Sequence, residues 1–570
     1  MNISDLRILA EFKDGVKEYD FTAPTLTVDG ITFTLEQKED TYRLAARSDT
    51  PLGLKNLSLQ FTYQGTQDFS VAKVYRTTAP VWETGCKKVE EALPESVHFG
   101  VVSSGKAPCF FIGTMLPQNT LQDYAAKTLD AHTLQVTAAV HFTRGQGKLK
   151  ELFSEWAWIS VDRPILKAME DWAAKLPVLE KKEPISYGWN SWDYYFETVC
   201  HEDIVENVEA IKADSVLREK VQYITVDDGW SHDWGVWEPN YRFAKGMKHT
   251  ADYIKAQGFI PGIWTAPVKV NFECYYVRRH PELLVKDEYG DPYRVGRRCY
   301  IDPTSPAGET YIYDLYKGLY DAGYRYFKTD FIWDLTTCPG FYNEEMGYCE
   351  VIRHLYKIIR SALGADAKIL GCNLAAEVGG GIVESNRTGL DIHNDWPTLK
   401  WVVNFLQTRF WWPDHIATID GDFMLVRGEE TSHQRPVNIL TEWTACKDRA
   451  EGIEHRLFTA EEAKTWANIT AFCGGNRMIS DRMVALNETG LSILREGFSF
   501  MEHPHYRPLD LGNKDLAEYW YKNADGEEYL LIVNFEDEER QMGADIDLPF
   551  AIDPVTLPPH ASVIIKKDEK

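Results

Sequence analysis

From about residue 184 the sequence alternates short apolar segments with helical ones, eight times over, and few folds accept that pattern. The apolar segments are ISYGWN, VQYITVDDG, FIPGIWTAP, YRYFKTDF, AKILGCN, GLDIHNDW, IATIDGDFML and AFCGGNRMIS. Between them lie helix-like stretches such as EDIVENVEAIKA, ADYIKAQG, GETYIYDLYKGLYDAG, YCEVIRHLYKIIRSALG and AEEAKTWANITA. Eight strands regularly interleaved with helices predict an α/β fold with a closed parallel (β/α)8 TIM barrel rather than an open sheet. Each apolar segment ends in polar or aromatic residues. In such barrels the C-terminal strand ends carry the chemistry.

The flanks have a different texture. Residues 1–165 read as an N-terminal β-sandwich: TLTVDGITFTLEQ alternates around Asp29-Gly30, and LSLQFTY, SVHFGVV, PCFFIGTM and TLQVTAAVHF continue the pattern. Residues 162–177 predict a linker helix, with Asp162 as cap, Pro164 in the first turn, and Ile165, Met169 and Trp172 on one face. The barrel is drawn over 180–490. Residues 491–570 form a small antiparallel β-domain, with a hairpin turning near Asp525-Gly526 and a last strand in LPPHASVIIKK.

The formal net charge of −25 disfavours nucleic acid and anionic membranes and favours a neutral substrate. Eighteen Trp suit sugar faces, although most aromatics in a chain of 570 residues fill its core. The ten Cys include no C-x-x-C pair and no zinc-type Cys/His spacing, so they read as free thiols of a reducing compartment. The N-terminus MNISDLRILAEFKDG has no long apolar stretch of a signal peptide, and no run is long enough for a membrane span. The expectation is a cytoplasmic protein.

In YFKTDF, period-2 geometry puts Lys328 and Asp330 on one face at the end of the fourth strand. A neighbouring Lys keeps a carboxylate ionised, as a nucleophile requires; the same pair also reads as a structural ion pair. In RTGLDIHNDW, Asp391 ends the predicted sixth strand, two strands round the ring, with Asp395 as a competitor and either able to cap a helix. Two carboxylates about 5–5.5 Å apart across a sugar make a retaining glycosidase, and a wider separation makes an inverting one. In VDDGW, Asp227 and Asp228 close the second strand, either gripping vicinal hydroxyls or forming a D-G turn. GWNSWDYYF offers Trp189 or Trp192 as a sugar platform, or simply core beneath a lid.

GWNSWD, DDGW, GIWTAP, KTD, GCN and RTGLD, in this order on successive strands, resemble the α-galactosidases of glycoside hydrolase family 36 and their relatives in family 27. The resemblance covers about residues 184–490, and the flanking β-domains match family 36 architecture. It implies a retaining α-galactosidase with Asp330 as nucleophile and Asp391 as general acid/base, held protonated by burial and nearby negative charge. It implies substrate-binding roles for Trp192, Trp264, Lys328, Cys372 near the 2-hydroxyl, Asn373 and Arg387, and a grip on the 4- and 6-hydroxyls by Asp227 and Asp228. No metal or cofactor is implied. The implied partner is an oligosaccharide or glycoconjugate ending in α-galactose, and family analogy suggests a homo-oligomer. Thr329 stands where many relatives carry a bulky residue, Asn373 replaces a common Gly, and WWPDHIATIDGDFMLVRG only loosely matches a family segment that would hold Asp422 and Arg427. Rival readings on the same scaffold are an α-N-acetylgalactosaminidase, a β-L-arabinopyranosidase and a raffinose synthase-like galactosyltransferase. A metal-dependent hydrolase would need His clusters, and His393 stands alone at the strand ends. A non-catalytic sugar-binding protein would have lost one of the two carboxylates, and both are present.

Overall fold

The computed structural model describes residues 3–567 apart from 72, 79–84, 89–95, 103–104, 181–183, 375, 379, 434–455 and 544–545. Eight short parallel strands form its central sheet. They are β1 Tyr187–Asn190, β2 Tyr223–Val226, β3 Ile260–Thr265, β4 Tyr326–Thr329, β5 Lys368–Gly371, β6 Ser385–Arg387, β7 Thr418–Asp420 and β8 Arg477–Ile479. The ladder runs 7-6-5-4-3-2-1-8, all parallel. The remaining seam, between β7 and β8, is joined just beyond β7 by a parallel bridge from Phe423 to Met478 and by Asn476 N–H donating to the Ile419 carbonyl at 2.8 Å. The sheet is thereby a barrel.

The pleat of β4 shows how sequence sets the interior. Tyr326 and Lys328 point inward, Phe327 and Thr329 outward. Tyr326 meets Tyr223 of β2 at 4.7 Å between ring centroids, a layer supplied by alternate strands. Phe327 packs on Tyr316 of the helix Pro306–Ala322, and Thr329 shares a 2.9 Å hydroxyl contact with Tyr356 of the helix Tyr348–Ala362. Other outer helices are His201–Ala213, Met247–Ala256, Trp396–Thr408, Ala460–Cys473 and Glu488–Ser499. The last crosses the boundary drawn at 490. Between β5 and β6 the described residues contain only a 3-10 turn, Ala376–Val378. Gly380 follows it, and any side chain there would strike the backbone carbonyl of His415.

Two antiparallel sheets precede the barrel, one of five strands and one of nine. Their facing sides share a core in which Tyr63 of one sheet lies 5.1 Å from Phe110 of the other. The Asp29-Gly30 hairpin has both residues at positive φ (51° and 78°), and Val28 pairs with Ile31. The linker helix is shorter than expected, Ile165–Ala173, with Pro164 at its cap. Asp162 lies instead in the strand Ala157–Arg163, because alternating burial carries the ladder through it. Trp172 of the helix packs edge-on against Trp411 at 4.7 Å and anchors the sandwich to the barrel. After the barrel come a four-stranded sheet, including the expected hairpin Tyr519–Ala524 to Glu527–Val533, and a two-stranded ribbon.

No helix among the described residues is long and apolar enough to cross a membrane. Eight cysteines are described and all are free; Cys446 and the side chain of Cys86 lie outside the described residues.

Candidate active site

The inward face of β4 continues past its last residue. Tyr326, Lys328 and Asp330 form one column, and Asp330 emerges at the barrel mouth just after the strand. β2 delivers Asp227 to the same level. Lys328, 3% exposed, is therefore an ion-pair partner of Asp227, 1% exposed, at 2.8 Å. The sequence pairing of Lys328 with Asp330 needs correcting on this point: the direct contact belongs to Asp227, and Lys328 acts on Asp330 only through its field. Asp227 also accepts from Asn190 Nδ2 at 2.8 Å and, through its backbone N–H, donates to Ser191 Oγ at 3.0 Å. Asp228 turns into the loop, as adjacent positions on a pleat require, and accepts from Gly229 N–H at 2.7 Å and the Trp234 indole at 3.0 Å.

Asp330 is held by two donors, the Trp264 indole at 3.0 Å and Phe331 N–H at 2.7 Å. Trp264 shares the inward face of β3 with Gly262, whose missing side chain leaves room for Thr225 of β2. Phe331 sits at φ 60°, so the backbone swings sharply away directly after the carboxylate.

Asp391 does not end the sixth strand. That strand is Ser385–Arg387, and Asp391 lies four residues beyond it in an irregular loop. Its oxygens accept from Arg387 Nη2 at 3.0 Å and from the Trp192 indole at 3.3 Å. Its competitor Asp395, 3% exposed, is the cap of the helix Trp396–Thr408, accepting from Thr398 N–H at 2.9 Å. Arg387 serves several carboxylates at once: besides Asp391 it pairs with Asp422 at 2.9 Å and lies 3.8 Å from Asp420. Its implied task, binding a sugar hydroxyl, therefore has to be shared with these ion pairs. Asp422, at φ 74°, takes the Ile392 N–H at 2.8 Å and so fixes the loop that carries Asp391.

Trp192 and Trp264 thus each donate to one of the two carboxylates. Trp189 is fully buried, its indole on the Asp481 carbonyl, and is core. Cys372 lies under Arg387, its Sγ 3.7 Å from Nη1, and the neighbouring Asn373 sits at φ 45° with a buried, unpartnered Oδ1.

The electrostatics depart from expectation. Burial would raise the Asp391 carboxyl, but Arg387, helped by Lys328 and His393, outweighs it and holds the group at about 2. Asp330 is instead raised above the ordinary carboxylate value by burial and by the charge of Asp391, against Lys328 and the Trp264 indole. Burial lifts the Asp330 carboxyl while Arg387 depresses that of Asp391, the opposite directions to those expected of a nucleophile and an acid. The reason is spatial: Arg387 contacts Asp391, whereas Lys328 is spent on Asp227. Asp228 is pushed up to about 7 by burial, then by Glu197 and Asp227.

Sequence reading missed the support behind Asp391. His393 has a buried charge partner. Its Nδ1 lies 2.8 Å from fully buried Asp193, whose charge carries the imidazole to about 9 against the effect of burial. Arg427 clamps the Asp193 carboxylate and that of Asp481, the latter at 2.8 Å. The signal was slight: Asp193 directly follows Trp192, and Arg427 lies in the loosely matched segment. Trp234 was also missed; its ring lies tilted beside Trp264 and Phe331, at 5.5 and 5.1 Å between centroids. Among the described residues no group of three or more His, Cys, Asp or Glu side chains could hold a metal.

No family model matches the chain. Short stretches match curated relatives: 83 residues are 31% identical to an α-galactosidase of Oryza sativa subsp. japonica, covering 14% of this chain and 20% of that one. A stretch of 166 residues is 26% identical to an A type blood α-D-galactosamine galactosaminidase of Flavonifractor plautii, covering 26% of this chain and 15% of that one. The matched segments thus span a fifth or less of these relatives' length. Solved structures align over far more. An α-galactosidase from Thermus thermophilus, in complex with p-nitrophenyl α-D-galactopyranoside, superposes with a TM-score of 0.61 over 86% of this chain and 98% of its own, at 18% identity. The GH36 α-galactosidase AgaA from Geobacillus stearothermophilus covers 99% of this chain and 89% of its own, with a TM-score of 0.59 and 12% identity. The chain has the fold of the GH36 α-galactosidases.

Proposed function

We propose that this protein is a retaining α-galactosidase that removes terminal α-linked galactose from oligosaccharides or glycoconjugates. One observation carries the reading: two carboxylates at one barrel mouth, Asp330 and Asp391, each take a hydrogen bond from a different tryptophan indole. A pair of carboxylates flanking an anomeric carbon is what double displacement requires. Asp330 attacks that carbon and forms a covalent glycosyl-enzyme. Asp391 protonates the departing oxygen, then deprotonates the water that releases the sugar.

The two carboxyls titrate as a coupled dyad, and the productive state has its one proton on Asp391. In the unliganded site burial raises the Asp330 carboxyl and Arg387 holds that of Asp391 down. Bound sugar supplies the shift: the Asp391 side chain is 43% exposed, and covering it with substrate removes the water that stabilises its charge. Asp227, Asp228 and Lys328 form the polar floor that grips hydroxyls, and the indoles of Trp192 and Trp264 form walls. A site built to hydrogen-bond a hydroxyl rejects the sugar lacking it there by about 10⁴-fold.

The test is hydrolysis of a panel of aryl α-glycosides, with the anomer of the first-formed sugar read by NMR. Release of α-galactose supports the reading. Release of β-galactose removes retention, and no turnover of α-galactosides removes the activity. A second reading, an enzyme acting on α-linked galactosamine derivatives, is favoured by the Flavonifractor plautii match. Against it, Cys372 packed on Arg387 leaves a tight wall at the position implied for the 2-substituent. Faster turnover of the aryl 2-acetamido sugar than of the aryl galactoside would establish it.

A further inference from the structure

The two acidic residues that follow β2 are supported very differently. Asp227 is fixed by Lys328 and by Asn190, each at 2.8 Å. The Asp228 carboxylate, 4% exposed, is bonded to no cation among the described residues. Burial, then the neighbouring charges of Glu197 and Asp227, oppose its charged form. Its two donors among the described residues are Gly229 N–H at 2.7 Å and the Trp234 indole at 3.0 Å. Gly229 is the next residue of the chain and moves with Asp228, so its N–H cannot alone set where the side chain points. The indole comes from six residues further on, and it can.

Trp234 is itself held on several sides. It begins the turn between the strands Ser231–Asp233 and Val236–Pro239, where Gly235 sits at φ 110°. A side chain at 235 would come within 2.8 Å of Val277, so the turn lies close against its neighbours. Trp234 N–H donates to Asp233 Oδ1 at 2.8 Å, and its carbonyl accepts from Asn271 N–H at 3.0 Å. The Arg298 guanidinium lies 3.8 Å from the ring centroid, a cation–π contact. The ring also meets Trp264, the residue whose indole holds Asp330. A donor fixed in this way keeps the carboxylate in place before any sugar arrives. Each Asp228 oxygen takes one donor and keeps capacity for another, and a hydroxyl can use that capacity.

We propose that Trp234 is a specificity-determining positioning residue, whose indole N–H aims the Asp228 carboxylate at the 4- and 6-hydroxyls of the sugar and which acts through Asp228. The proposal rests on the galactosidase reading for its substrate and deepens it. Selectivity then depends on a tryptophan outside the catalytic pair and its two indole donors, as well as on the acidic floor.

Two measurements test it. Wild type and Trp234→Phe, which keeps a ring and loses the N–H, are compared on p-nitrophenyl α-galactopyranoside and on its 4-deoxy and 6-deoxy analogues. Loss of a hydrogen bond to a charged group should lower the kcat/KM ratio of galactoside to at least one analogue about tenfold. Equal losses on all three substrates, the mark of a disturbed fold, overturn the proposal, as does no loss on any. Calorimetric titration of 1-deoxygalactonojirimycin into wild type, Trp234→Phe, Asp228→Ala and the double variant reads the coupling without turnover. If Trp234 acts through Asp228, the double variant binds within about twofold of Asp228→Ala, and additive losses overturn the proposal. A wild type that neither hydrolyses the galactoside nor binds the iminosugar defeats the galactosidase reading and this proposal with it. Unchanged ratios in an active wild type defeat this proposal alone.

Discussion

Replacing Arg427 with methionine is expected to destabilise the barrel by about 3–5 kcal/mol, because it strands two buried carboxylates. Arg427 is 1% exposed, and Asp193 and Asp481 are not exposed at all. One arm of the guanidinium lies 2.8 Å from Asp481; the other binds the Asp193 carboxylate and, at 2.8 Å, its backbone carbonyl. At an effective dielectric of about 20, a pair at that separation attracts by about 6 kcal/mol, most of which offsets the cost of burying the charges. Removing the cation leaves that cost uncompensated. His393 still faces Asp193 at 2.8 Å, and Val426 N–H still faces Asp481 at 2.7 Å, so the low end of the range applies. Each kcal/mol lowers Tm by about 2 °C in a domain of this size, giving a fall of about 6 °C by calorimetry or circular dichroism. Adding Asp481→Leu should recover part of the loss, because it removes one stranded charge. A single variant melting within about 1 °C of wild type would refute the argument, as would a double variant less stable than the single.

Other expectations follow from the same geometry. Asp330→Ala should lower kcat on an aryl α-galactoside by about 10⁴-fold or more; near-normal turnover would dismiss Asp330 as nucleophile. Aryl α-glucoside, whose 4-hydroxyl points away from the Asp227–Asp228 floor, should be turned over about 10⁴-fold less efficiently than the galactoside, and comparable kcat/KM would detach that floor from specificity. His393→Gln removes a cation that holds the Asp391 carboxyl down, so the limb of the pH–kcat/KM profile belonging to Asp391 should move to higher pH. Because the imidazole is raised to about 9 in the fold, its contribution to stability is complete below about 6.5 and is lost as pH rises through about 9. A stability–pH curve that is the same in wild type and His393→Gln over that window would show that the Asp193 pairing contributes nothing.

How far the chain could be read depended on the range of the interaction. Period-2 alternation is local, so the columns Tyr326, Lys328, Asp330 and Gly262, Trp264 were legible, as were the two hairpins marked by Asp-Gly turns. The sixth strand was misplaced because Leu390 and Ile392 alternate with polar residues and mimic a strand. The segment that joins the sheet is the wholly polar Ser385–Arg387, whose Asn386 amide donates to the Arg387 carbonyl and whose Arg387 pairs with Asp422 inside the barrel. Charge partners were the least legible. Lys328 finds Asp227 across 101 residues of chain, and Arg427 finds Asp193 across 234. No local pattern encodes those meetings, and the first of them leaves Lys328 acting on Asp330 only through its field.

The nucleophile's identity is the point to measure. A 2-fluoro α-galactosyl fluoride slows breakdown of the covalent intermediate, and mass spectrometry of the digested protein locates the sugar. The account requires the adduct on the peptide carrying Asp330. An adduct on Asp391, or on any residue other than Asp330, would contradict it.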